Sequence, residues 1–86
     1  MNEGAGARVQ NRNLVPLGGA VKVQLESLPP KVQSAIKNHA KGAAIEDIDR
    51  GTLNGKVVYE AAFKRDNRTV EVRVTEDGNV LGEHLD

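Results

Sequence analysis

On both sides of the dipeptide Asp66-Asn67 apolar residues recur at every second position, Val57 to Phe63 before it and Val70 to Val74 after it. Folding the two segments about that dipeptide sets Phe63 opposite Val70, Ala61 opposite Val72 and Tyr59 opposite Val74. On the other face Glu60 meets Arg73 and Lys64 meets Thr69. The pattern predicts an antiparallel hairpin with one apolar face that needs a cover and one face of compatible charge. None of the residues that build it is reactive.

Turn chemistry extends the hairpin in both directions. Asn54-Gly55 and Asp77-Gly78 tolerate the positive φ angles of tight hairpin loops, so segments 44–52, 56–65, 68–75 and 79–85 read as a four-stranded meander. Ile45 and Ile48 lie three apart, and both face inward only if the strand carries a bulge or starts late. A three-residue Glu76-Asp77-Gly78 loop with Gly78 left-handed places Val80 opposite Val74, whereas a two-residue loop places Leu81 there.

Before the meander the period changes. Val32, Ala35, Ile36, His39 and Ala40 recur at helical spacing, with Lys31, Gln33, Lys37, Asn38 and Lys41 on the opposite side. Pro29 and Pro30 suit a first turn, where backbone N–H groups have no intrahelical acceptor, and Ser27 reads as the capping residue. Gly42 supplies the stop, with Lys41 placed against the negative helix end. Upstream, Val21, Val23 and Leu25 alternate with polar neighbours and predict a short edge strand.

The expected fold is α+β, one amphipathic helix packed on one face of a four-stranded antiparallel meander, with an extra N-terminal edge strand as an option. The stripe Val32, Ile36, Ala40 covers the Tyr59, Phe63, Val72 face. Residues 1–19, with four glycines and three asparagines, read as a flexible tail, apart from Leu14-Val15-Pro16-Leu17, which can lie extended along a groove. Residues 20–86 read as a single domain.

Composition then narrows the function. A chain of 86 residues buries only roughly 60% of its unfolded surface, so association with a partner or a second copy would add stability it needs. Twelve Lys and Arg balance twelve Asp and Glu, and there is one Tyr, one Phe and no Trp. That combination lacks both the charge and the stacking surfaces for nucleic acid. Without cysteine, disulfides, thiolate catalysis, thiolate zinc sites and iron–sulfur clusters drop out. No apolar run reaches the length of a membrane span, and no signal-peptide pattern opens the chain. The polar, Gly-rich start behind Met1 reads as the exposed beginning of a trimmed mature protein.

The residues that carry chemistry elsewhere have plainer roles here. His39 is expected to end the helix half exposed, and His84 to sit in a fraying C-terminus, so the two do not form a metal site. Glu46 faces away from Asp47 and Asp49 in a strand, and Asp77-Gly78 is a hairpin turn that needs no cation. Ser27, Ser34, Thr52, Thr69 and Thr75 are not set in a nucleophile elbow. Gly18-Gly19 and Gly4-Ala5-Gly6 lack the Lys and the strand–loop–helix context of a phosphate loop. The expectation is a protein without catalytic residues, metal or cofactor.

Taken in order, Leu28-Pro29, Val32, Ala35-Ile36, Gly42, the Ile45 and Ile48 pair, Asn54-Gly55, Tyr59-Glu60, residues 70–74 and Asp77-Gly78-Asn79-Val80-Leu81 resemble the PepSY family, closest to its beta-lactamase-inhibitor-like branch. The resemblance spans residues 28–85. The central strand departs from it, since Tyr59 is followed by Glu60 where many members have a hydrophobic residue. What the resemblance implies is a helix on a curved antiparallel sheet, and an exported bacterial protein, periplasmic or secreted, with a cytoplasmic location as the other option. It also implies a non-enzymatic module that binds a protein partner, a peptidase in particular, as inhibitor or regulator. The alternative is a self-association domain that dimerises through its N-terminal or edge strands.

Overall fold

The structure is a computed structural model and describes residues 15–85. Most of the expected N-terminal tail, residues 1–14, lies outside the described residues. The elements are β1 (Gly18–Lys22), a single 3₁₀ turn (Leu25–Ser27), α1 (Pro30–Ala40), β2 (Ile45–Leu53), β3 (Lys56–Arg65), β4 (Arg68–Thr75) and β5 (Val80–Leu85). The strands form one sheet in the order β1-β2-β3-β4-β5, with every neighbouring pair antiparallel. The fold is therefore α+β, with five strands where the meander alone accounts for four.

The central hairpin has the register read from its alternation: Phe63 pairs with Val70, Ala61 with Val72, Tyr59 with Val74, Glu60 with Arg73 and Lys64 with Thr69. Both two-residue loops that flank β3 take positive φ at each residue, Asn54 and Gly55 before it and Asp66 and Asn67 after it, as loops matched to strand twist require. The register of β2 shifts between Ile45 and Asp47. This bulge brings Ile45 opposite Phe63 and Ile48 opposite Ala61, on one face.

Helix α1 covers that face. Leu28, Val32, Ile36 and Ala40 pack against Ile48, Tyr59, Ala61, Phe63, Val70, Val72 and Val74, all buried. Each large side chain removed from water here contributes about 1.5–3 kcal/mol, which makes this single layer the main source of stability. Arg65 closes one end of the layer, its guanidinium carbon 5.4 Å from the Phe63 ring centroid and Nη2 donating to the His39 carbonyl at 3.3 Å.

Three expectations about local structure need correction. Ser27 does not cap the helix: its hydroxyl donates to the Gln24 carbonyl at 2.8 Å within the 3₁₀ turn. A cap at Ser27 would need the N–H groups of residues two and three positions on, which are the prolines Pro29 and Pro30 and have none. Pro29 occupies the cap position instead, and Gln33 Nε2 donates to the Leu28 carbonyl at 2.9 Å. At the other end the left-handed conformation begins at Lys41 (φ 51°), one residue before Gly42. Finally, the edge strand runs over Gly18–Lys22, not residues 21–25; Val23 still donates to the Ile48 carbonyl at 2.9 Å, and Leu25 turns into the 3₁₀ segment against the core.

Candidate functional site

The sheet face turned away from α1 is built from the alternate residues of each strand: Lys22 of β1, Asp47 and Asp49 of β2, Val58 and Glu60 of β3, Glu71 and Arg73 of β4, and His84 of β5. A one-sided sheet should leave this face wet. Val58, Arg73 and His84 are nevertheless buried, at 2%, 6% and 5% exposure.

Buried polar groups persist only when partnered, and these are. Arg73 Nε donates to Glu60 Oε2 at 2.9 Å. His84 Nε2 lies 2.6 Å from Glu71 Oε1 and 3.8 Å from Glu60 Oε2. Glu60, Glu71 and His84 together bring three ligand-type atoms within 4.8 Å of one another, the single such group among the described residues. Toward β1, Lys22 Nζ reaches Asp47 Oδ2 at 2.9 Å and Asp49 Oδ1 at 3.5 Å. Its hydrogen bond to Asp47 is the main influence that raises the Lys22 pKa above its ordinary value; desolvation opposes it, and the negative charges of Asp49 and Asp47 add to the rise.

His84 corrects an expectation. It is not part of a frayed end but a buried member of β5, directly across the ladder from Glu71. What places it there is a bulge. Val80 pairs with Val74, as the three-residue loop predicts, and Gly78 is left-handed, but the ladder then shifts so that Gly82 faces Arg73, Glu83 faces Val72 and His84 faces Glu71. Leu81 is the extra residue. Carried on from the Val74–Val80 pair without a shift, the ladder would set Glu83 against Glu71, two like charges directly opposed; past the bulge the pairing is the one that a two-residue loop implies. That conflict is the sequence signal for the shift.

The same shift sends Glu83 to the helix side, where Arg65 Nη1 meets its Oε1 at 3.2 Å and His39 Nδ1 lies 3.7 Å from its Oε2. The two histidines therefore stand on opposite sides of the sheet and do not converge. Asp47 and Asp49 form a pair around Lys22. The hydroxyls of Thr52 and Thr75 serve local structure, Thr52 donating to the Gly18 carbonyl and Thr75 accepting the N–H of Asn79.

A second surface lies on the helix side. Among the described residues, β5 is hydrogen-bonded to β4 on one edge and is the last strand of the sheet. Next to the start of β5 runs an open groove of about 530 Å³, with Pro30, Lys31, Ser34 and Ala35 of α1 on one wall and Gly78 and Val80 on the other. Val80 and Leu81 are exposed beside it. Comparison of the chain with protein-family models and with curated proteins finds no match.

Proposed function

We propose that this protein is a non-enzymatic binding module that takes an extended segment of a protein partner along the outer edge of β5. The observation that supports this reading is the combination at one place of a terminal strand, two adjacent exposed apolar residues, Val80 and Leu81, and a groove walled by α1. A strand added there gains affinity from main-chain hydrogen bonds, and its alternate side chains enter the groove. The PepSY-like pattern of residues 28–85 supplies the setting and partner class: an exported bacterial protein, periplasmic or secreted, that restrains or regulates a peptidase.

The test is a pull-down and inhibition assay of the full chain against secreted metallopeptidases, repeated with the double variant Val80→Asp, Leu81→Asp. Capture and inhibition by the parent and loss of both in the variant, at unchanged circular dichroism, support the reading. No complex with any of them, or a complex indifferent to the double substitution, contradicts it.

Self-association is the second reading, favoured by Val21, 48% exposed on the opposite edge strand β1. That edge is broken by a register shift between Gly18 and Val21 and carries Lys22, features that discourage pairing with a second copy. A monomeric mass by light scattering at millimolar concentration would dismiss it.

A further inference from the structure

We propose that the outer face of the sheet holds a divalent transition-metal ion of the zinc class, bound by Glu60, Glu71 and His84. This inference is independent of the β5-edge reading, since it concerns the other face.

The donor set is one imidazole nitrogen and two carboxylate oxygens, a combination suited to zinc and its neighbours and not to thiophilic ions. Three adjacent strands present it, so the ligands' backbone positions are fixed by ladder hydrogen bonds, Glu71 directly opposite His84 and Glu60 on the next strand over. Zinc–ligand bonds of about 2.0 Å in a tetrahedron put ligand atoms about 3.3 Å apart. The observed separations from His84 Nε2, 2.6 Å to Glu71 and 3.8 Å to Glu60, bracket that value. Three protein ligands leave a fourth position for water.

Arg73, whose Nε holds Glu60 Oε2 at 2.9 Å, becomes the outer partner that orients the Glu60 carboxylate, and its positive charge keeps affinity below that of a four-ligand structural site. Binding uses the Nε2 lone pair. A neutral imidazole must then carry its proton on Nδ1, and an imidazolium releases one proton to solvent.

The chain has only two histidines, so imidazole nitrogen NMR of the metal-free full chain, titrated with zinc chloride, reads the site directly. The expected result is saturation at one zinc per chain with a large shift of the His84 Nε2 resonance and little change at His39. Calorimetry should show saturable uptake by the parent and by His39→Ala, and its loss in Glu71→Gln, a variant that keeps the shape of the side chain and removes its charge. Absence of saturable uptake overturns the proposal, and so does a shift confined to His39 or uptake unaffected by Glu71→Gln; in each case Glu60, Arg73, Glu71 and His84 form a closed ion-pair network and nothing more.

Discussion

His84 faces Glu71 across the β4–β5 ladder, Nε2 to Oε1 at 2.6 Å, because Leu81 is bulged out of β5 and moves every later residue by one position. A single inserted residue thus decides which face receives a histidine and which a glutamate. His84→Ala removes the partner of a half-buried carboxylate and vacates buried volume. The expected cost is about 1–3 kcal/mol in urea unfolding, against an effect near zero for Leu81→Ala, whose side chain is exposed.

Arg73 and Glu60 make a second test of the same face. Their side chains are 7% and 17% exposed, so Arg73→Ala leaves a carboxylate with little water to replace the guanidinium, and about 3 kcal/mol of stability should be lost. Replacing both, as Arg73→Met with Glu60→Leu, should restore most of that loss or exceed the parent, because the desolvation cost of both charges disappears together. Chemical denaturation of the two variants checks the ordering.

Gly78 and Gly82 should respond oppositely to alanine. Gly78 has φ +87°, and a Cβ there would lie 2.8 Å from Lys31 Cβ and 2.9 Å from the Lys31 carbonyl oxygen, where the β4–β5 turn meets the first turn of α1. Backbone strain alone costs about 1–3 kcal/mol, and the contact adds to it. At Gly82 a Cβ meets nothing within 4 Å and φ is ordinary, so Gly82→Ala should be neutral or slightly stabilising. Thermal melts of the pair decide.

Much of this was legible in the chain. Strands β3 and β4 follow from apolar residues at every second position plus a two-residue turn, and that period with a fixed turn leaves no freedom of register. The helix stripe follows for a similar reason, since Val32, Ile36 and Ala40 have one face to cover. What was hidden depends on side-chain competition between strands. The position of His84 combines the two registers that the sequence leaves open, Val80 opposite Val74 at the turn and, past the Leu81 bulge, the pairing of a two-residue loop, and a mixture of the two is not written in the alternation. The role of Lys22 between Asp47 and Asp49 rests on a pairing between segments on either side of the helix. The failed Ser27 cap was decidable, because two prolines cannot donate.

The ion pair of Lys22 gives a pH prediction. Its pKa is raised above 10.5, first by the hydrogen bond to Asp47 and then by the charge of Asp49. A raised pKa on a cationic group means that its contribution is fully present below pH 10.5 and fades as pH rises through the higher folded-state value. Lys22 is exposed, so the effect is small, local to the β1–β2 edge and weakened by salt. The Lys22 Nζ resonance should titrate later in the parent than in Asp47→Asn.

The most direct test of the architecture is a map of cross-strand nuclear Overhauser contacts between β4 and β5 in solution. Contacts that join Glu71 to His84 and Val72 to Glu83 are expected, with Phe63 and Val72 both touching Ile36. Contacts that join Glu71 to Glu83 instead would place His84 on the helix side, and the buried polar cluster, with the metal site proposed for it, would not exist.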